Sequence, residues 1–427
     1  MKKIYFLIFG FFALTLFLYA NINKLPLTHP GNLKAADPFY HALCTEEIID
    51  SKQWDYYDST FSLGNEKIVN TQPPLLYLNA AILSVFSGIP AWVTIYFLVC
   101  IFYAFLIILI YLVSKEIFEK ESIAIMAAAF IVLPMSVHAW LYSLYIGFWI
   151  QVAAYTLIIC FFWLFIRYIK NEESWTLFFM GVCISSIIMI HPMDISMLII
   201  PCLIVLIKIV ANGDIKNILI KGFSFGLFPL VMIIPLIPRF LYVWGAMGGS
   251  QFKFGIYGLH SNMYSRVYAE GLVFPDIFFI PKPILILFGI GFIQLILNFK
   301  KYKIWILSSI YYFSIIYILP VFVENPYYFG RARALTPFFV FPVVAYTIYY
   351  FGLRFLKNTN KENIAAIIIG VMVISIGYPS YQKIVDNMKY EHIPYEKWQA
   401  FKWIMENSEE SAKVLFFGFI SQSENRY

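Results

Sequence analysis

Long apolar blocks alternate with short polar interruptions along this chain, and within the blocks there is no strict two-residue alternation. The blocks Ile4 to Ala20, Ala91 to Val113 and Gly147 to Phe165 approach or exceed the roughly 17–25 apolar residues that cross a hydrocarbon core as helix. Without barrel-type alternation the spans read as helical. Further paired blocks predict hairpins over 122–137 with 144–166, 175–191 with 194–209, 218–238 with 283–299, and 304–322 with 335–353, before a last helix over 364–380. A shorter run opens after Pro73-Pro74 and closes at Ser87-Gly88-Ile89-Pro90, so 74–87 reads as an interfacial or re-entrant helix and 91–113 as the second crossing. The pattern predicts an all-α polytopic membrane protein of about 11 to 13 transmembrane helices.

Composition agrees: 61% of the residues are apolar and 13% charged, against about 25% charged in soluble domains, and the mean hydropathy is +0.73. The first block follows Lys2-Lys3, as in a signal peptide. Leu18-Tyr19-Ala20 lacks the small residue that precedes a cleavage-site Ala by two positions, so an uncleaved anchor is expected. Basic clusters at Lys115/Lys120, Arg167/Lys170, Lys208/Lys216/Lys221, Lys300/Lys301/Lys303 and Arg354/Lys357/Lys361 are placed in the cytoplasm by the positive-inside rule, with the N-terminus. The loop 21–73, the loop 239–282, the turn 323–334 and the tail 381–427 then share the extracytoplasmic face of a cell-membrane protein. The net charge of +6 reflects loops that face anionic lipid, and no nucleic-acid partner is expected. Cys100, Cys160, Cys183 and Cys202 lie in spans and Cys44 stands alone outside, which excludes a disulfide framework.

The candidate chemistry gathers in the outer segments. The first outer loop carries Ala36-Asp37-Pro38-Phe39-Tyr40-His41. Asp37 before Pro38 fits a helix N-cap. A carboxylate held just outside the bilayer, beside Tyr40 and His41, also suits proton abstraction from an acceptor. Glu46, Glu47, Asp50, Asp55 and Asp58 read as solvated surface. His191-Pro192-Met193-Asp194 joins two apolar runs; Asp194 fits a cap of the next helix, or a substrate- or cation-binding group facing Asp37 together with His191. Arg331 and Arg333 stand in a basic outer turn that abuts a helix, where guanidinium forks suit phosphate oxygens, or where they serve as interfacial anchors or partners of Glu324. Glycines between 245 and 258 make the loop 239–282 either a mobile flap or a plain connector.

The ordered set of an N-terminal anchor, an outer loop with Asp37-Pro38-Phe39-Tyr40-His41, then Gln72-Pro73-Pro74-Leu75-Leu76-Tyr77, His191-Pro192 and Gly330-Arg331-Ala332-Arg333-Ala334-Leu335-Thr336-Pro337 resembles the GT-C superfamily of integral-membrane glycosyltransferases. That superfamily includes oligosaccharyltransferases, protein mannosyltransferases and aminoarabinose transferases. The resemblance covers residues 1 to about 380 and implies a GT-C-like bundle with a helical first outer loop. It implies inverting transfer of a sugar from a polyprenyl-phosphate or diphosphate donor to a protein, lipid or glycan acceptor. Asp37 is implied as the catalytic acid of the first loop, with Tyr40, His41, His191, Asp194, Arg331 and Arg333 binding substrate. No cofactor is certain; a divalent cation, Mg or Mn, is the candidate, without defined ligands.

The chain departs from the oligosaccharyltransferase branch at two places. No acidic pair occurs around His138 to Tyr142, and no Trp-Trp-Asp-Tyr-Gly motif follows the membrane part, which puts whole-oligosaccharide transfer and metal dependence in doubt. After residue 380 the chain becomes charged. Trp398, Phe401, Trp403 and Ile404 predict an amphipathic helix and 413–418 a strand, so 381–427 reads as a vestigial or truncated α/β domain. A transporter or flippase for a lipid-linked or amphiphilic solute is the alternative, kept open by prolines within spans such as Pro134, Pro229 and Pro342.

Overall fold

The structure, a computed structural model, describes residues 2–21, 36–53, 73–133, 147–211, 214–237, 241, 282–318, 332–387 and 395–409. The described residues form helices and no strand. In chain order they are α1 (Lys2–Ala20), α2 (Ala36–Ser51), α3 (Leu75–Ser87), α4 (Ala91–Phe118), α5 (Glu121–Val132), α6 (Trp149–Asn171), α7 (Ser174–Ile190), α8 (Ile199–Ala211), α9 (Ile215–Ile233), α10 (Lys282–Leu297), α11 (Phe299–Phe313), α12 (Thr336–Phe351), α13 (Thr359–Asn387) and α14 (Tyr395–Asn407). Among the described residues, five helical segments are long and apolar enough to cross a membrane, and six shorter apolar helices accompany them. The chain is therefore a multi-pass membrane protein. The helix expected within 381–427 is α14, whereas the strand expected over 413–418 lies outside the described residues.

Two helix boundaries depart from the sequence pattern for local reasons. The run 300–303 was expected to be a loop, yet α11 starts directly after Asn298 and carries Lys300, Lys301 and Lys303 in its first turns. The hairpin is thus almost without a connector, and long basic side chains reach water from the helix end. The segment after His191 does not open a regular α-helix; Pro192–Leu198 winds as a 3-10 turn, and α8 begins only at Ile199. The 13-residue α3 rises about 20 Å, too little for a roughly 30 Å core. Gly88 ends it in the left-handed region, φ +69°, which a glycine adopts without Cβ strain.

The interior is built around α5, whose residues 122–132 are all buried between α4, α12 and α13. Small residues permit this closeness. A Cβ on Gly370 of α13 would sit 2.7 Å from Cβ of Ala129, and one on Gly181 of α7 only 2.6 Å from the carbonyl oxygen of Phe225 in α9. The end of α1 is tied down by tyrosines: Tyr381 donates to the Leu18 carbonyl at 2.5 Å and Tyr96 to the Tyr19 carbonyl at 2.6 Å. Carbonyls in the last turn of a helix have no intrahelical donor, so these hydroxyls satisfy groups that hydrocarbon would leave unpaired. Around this interior, α8, α9 and α13 expose large apolar side chains such as Ile207, Leu219, Phe223, Leu230, Ile368 and Ile376. Such continuous apolar exposure suits lipid.

The basic clusters come together at one end. Glu119, at the turn between α4 and α5, lies 3.2 Å from Lys170 at the end of α6 and 3.7 Å from Lys301 of α11. Lys208 of α8 reaches Glu172 at 3.1 Å, and Lys115 pairs with Glu121 at 3.1 Å. Lys120 stands over the ring of Tyr349, two residues before the end of the helix that leads to Arg354. Exposed pairs of this kind contribute about 0–1 kcal/mol each. Their value here is positional, because they show that all five basic segments, or residues next to them, have at least one contact at a common end.

Candidate functional site

The opposite end begins with α2. Asp37 lies in its first turn, one residue inside the helix rather than before it, where a carboxylate suits the positive end of the helix dipole. Helical spacing puts Asp37, His41, Cys44, Thr45 and Ile48 along one face. His41, Cys44 and Thr45 on that face are buried. The position of the Asp37 side chain lies outside the described residues.

His41 fixes α2 in place. Its Nε2 is 2.7 Å from the carbonyl oxygen of Gly147, which can only accept, so this nitrogen carries the proton. Nδ1 then accepts from the Tyr77 hydroxyl at 2.8 Å. The ring is stacked between Tyr77, 5.7 Å away, and Trp149, 5.5 Å away. Burial pushes its pKa down to about 4, more than the Gly147 carbonyl raises it, so His41 is neutral at pH 7. Tyr40 is half-buried beside it, the two rings 6.0 Å apart. The Asp37–His41 and Gln72–Tyr77 motifs, 36 residues apart, are thus joined by one hydrogen bond.

The acids further along α2 differ from expectation. Asp50 is exposed, but Glu46 is half-buried and Glu47 is 9% exposed. α2 packs against α3 and α4, and that packing shields positions which a free helix would leave in water. Burial, assisted by the charge of Asp50, pushes the Glu46 carboxyl up to about 7. Because the folded pKa is raised, the packed helix favours the protonated acid, and stability is lost as pH rises from about 4.5 through about 7. Glu46→Gln is expected to raise the melting temperature at pH 8 and leave it unchanged at pH 4. An equal shift at both pH values would show that the carboxyl does not titrate there. Asp55 and Asp58 lie outside the described residues.

The second cluster lies where α6 begins and α7 ends. Asp194 is buried at 5% exposure within the 3-10 turn, and it does not cap α8 as one reading of the sequence had it. Its carboxylate turns back instead, with Oδ2 2.9 Å from Nδ1 of His191, in an approach too poorly aligned to be a hydrogen bond. Nε2 of His191 lies 3.4 Å from Nε2 of Gln151, in the first turn of α6. Two adjacent residues of α11 complete the end. Tyr311 donates to the Ser196 carbonyl at 2.5 Å, and the Tyr312 hydroxyl lies 3.5 Å from that of Thr336, the first residue of α12. Thr336 directly follows the turn Ala332–Leu335 that contains Arg333. Arg331, the Arg333 side chain and the loop expected over 239–282, apart from Leu241 and Lys282, lie outside the described residues.

A contact path therefore runs from α2 through His41, Gly147, Gln151, His191, Ser196, Tyr311 and Tyr312 to Thr336. It connects all four motif segments at the end opposite the lysines: α6 separates Gly147 from Lys170 by about 34 Å. Of the residues singled out in the sequence, Tyr40, His41, His191 and Asp194 take part. Gln151, Trp149, Tyr311 and Tyr312 were missed, since inside apolar helices nothing separates a site-facing aromatic or amide from a packing one. Among the described residues no group of three or more His, Cys, Asp or Glu could hold a metal ion. His191 with Asp194 supplies two donors, fewer than a hard divalent cation requires.

The chain matches the Archaeoglobus fulgidus oligosaccharyltransferase in its apo form with a TM-score of 0.54 at 15% identity, over 94% of this chain and 58% of that one. It matches the oligosaccharyltransferase AglB of the same organism, in complex with an inhibitory peptide and a dolichol-phosphate, with a TM-score of 0.52 at 13% identity, over 96% and 59%. ArnT from Cupriavidus metallidurans bound to undecaprenyl phosphate gives a TM-score of 0.51 at 9% identity, over 90% and 73%. At these identities the likeness is one of fold, and the fold is GT-C-like. The chain spans somewhat under three fifths of the archaeal enzyme's length. In sequence, residues 4–400 match the family of unknown function DUF6541, and the chain belongs to that family. No curated protein matches it.

Proposed function

We propose that this protein is a membrane glycosyltransferase that moves a hexosyl or related group from a polyprenyl-phosphate or diphosphate donor to an acceptor at the extracytoplasmic face, with inversion. The observation that carries the reading is the convergence of the four motif segments at the lysine-poor end of a GT-C-like bundle. Relatives of that fold were solved with dolichol-phosphate and undecaprenyl phosphate.

In this reading the acceptor oxygen or nitrogen attacks the anomeric carbon from the side opposite the phosphate. The bond from that carbon to the phosphate oxygen breaks, and the lipid phosphate leaves with the electron pair. Asp37 takes the acceptor proton. Arg331 and Arg333 hold the phosphate, whose charge grows as the bond breaks. His41 is neutral and committed at both nitrogens, so its part is to position α2 and with it Asp37. Tyr40, His191 and Asp194 face the substrates.

Transfer from polyprenyl-phosphate sugars, measured with the purified protein in lipid, tests the reading. Arg331→Ala is expected to raise the KM for the donor by about tenfold or more, the effect of losing a charge-assisted hydrogen bond. Unchanged donor KM removes Arg331 from the site. Orientation is tested with an impermeant thiol reagent on intact cells: Thr60→Cys should label and Lys115→Cys should not. The opposite pattern would put the site on the wrong side of the membrane.

A further inference from the structure

Gln151 is 2% exposed, and its amide oxygen, enclosed at the start of α6, has no hydrogen-bond partner among the described residues. A buried acceptor in that condition costs about 1–3 kcal/mol, and a leucine of similar volume in an otherwise apolar turn would avoid the cost. On the far side of His191, Asp194 is 5% exposed and, among the described residues, its Oδ2 lacks a well-aligned donor, while the Nδ1–H of His191 that faces this carboxylate lacks a well-aligned acceptor. Acceptors outnumber the aligned donors in this cluster. What completes such a set is a ligand that brings O–H groups. His191 keeps 12% of its side chain exposed and marks where the cluster reaches the surface.

We propose that Gln151, His191 and Asp194 form the subsite that binds the hydroxyl groups of the sugar on the lipid-linked donor. This rests on the glycosyltransferase reading and adds the part of the donor that is recognised there. The amide oxygen of Gln151 and the carboxylate of Asp194 accept from neighbouring hydroxyls, and the Nδ1–H of the imidazole between them donates to a hydroxyl oxygen. A divalent cation fits less well, because no third His, Cys, Asp or Glu joins the pair among the described residues. An ammonium fits less well, because the carboxylate is already beside the imidazole. Placement favours one donor molecule spanning both regions. Tyr311 holds the turn that carries Asp194, and its neighbour Tyr312 holds the entry to α12 just after Arg333. Sugar and phosphate of a single lipid are adjacent in the same way.

The test compares binding of undecaprenyl phosphate with undecaprenyl-phosphate-linked glucose, galactose, mannose and glucosamine by the full chain in nanodiscs. The parent is expected to bind at least one neutral sugar lipid about tenfold or more tighter than the bare carrier. Gln151→Leu and Asp194→Asn should each bring that ratio within about threefold while affinity for the bare carrier is retained. Gln151→Leu removes an unpaired buried acceptor, so its melting temperature should hold or rise; lost sugar preference with retained stability is a result that a packing role does not produce. The subsite is overturned if the parent shows no preference among sugars and carrier, if the preference survives both substitutions, or if glucosamine alone is selected. If the parent binds no carrier at all, the donor reading falls and this subsite with it; if carrier binding persists but both variants keep the sugar preference, only the subsite falls.

Discussion

Asp37→Ala is expected to lower the turnover of sugar transfer by roughly 10²–10⁴-fold, the usual contribution of a positioned general base, with donor affinity nearly unchanged. The expectation comes from placement. Asp37 sits one helical turn before His41 on α2, and His41 is bonded to both Tyr77 and Gly147. The backbone that carries the carboxylate is thereby held against two other elements of the bundle, and a proton acceptor is effective only when it is held within reach of the proton. Asp50→Ala, an exposed acid on the other side of the same helix, is the control and should leave turnover within about twofold. Steady-state kinetics on both variants decides: equal losses would point to a general charge effect of the loop, and no loss at Asp37 would place the base elsewhere.

His41→Phe is expected to cost stability and activity together. A phenyl ring preserves the stack between Tyr77 and Trp149 but takes away the acceptor for the Tyr77 hydroxyl and the donor for the Gly147 carbonyl. Losing two buried hydrogen bonds of this kind destabilises by about 2–5 kcal/mol. Much of that loss should appear as undocking of α2, read as faster hydrogen exchange across Ala36–Ser51 and cleavage near Lys52. Turnover should fall by about 10-fold or more as Asp37 loses its fixed position. The parent protein should show the same weakness with pH. The folded pKa of His41, about 4, lies below its ordinary value of 6.5, so the docked helix favours the neutral ring. Docking is then at full strength above about pH 6.5 and weakens by up to about 1.4 kcal/mol per pH unit as pH falls toward 4. Glu46 contributes in the opposite sense, losing stability as pH rises toward 7. Exchange of α2 measured at pH 7 and pH 5 in parent and His41→Phe separates them: the steep acid side should vanish in the variant. If it persists, another group governs α2.

Several features were legible because they depend on local order alone. The apolar blocks predicted most helix positions to within a few residues, as with 175–191 against α7 at Ser174–Ile190 and 335–353 against α12 at Thr336–Phe351. The helical first loop and the short α3 were legible from their proline and glycine boundaries. Tight connections were less so: the lysines at 300–303 read as a loop because charge normally marks one, yet a single residue, Asn298, joins α10 to α11.

Hydropathy and charge order along the chain determined by themselves that this is a helical membrane protein with its motifs and its lysines in different segments, because a bilayer imposes span length and loop charge on each stretch independently. Only the tertiary structure decided that His41 is a neutral strut between Tyr77 and Gly147, that Asp194 turns back to His191 instead of capping α8, and that Gln151 meets His191. The partners of His41 and Gln151 meet across 36 to 106 residues of sequence, and even the three-residue contact of Asp194 with His191 depends on how the turn between α7 and α8 is wound. The energy of a buried polar group is set by the partner it meets there, and the partner is chosen by packing.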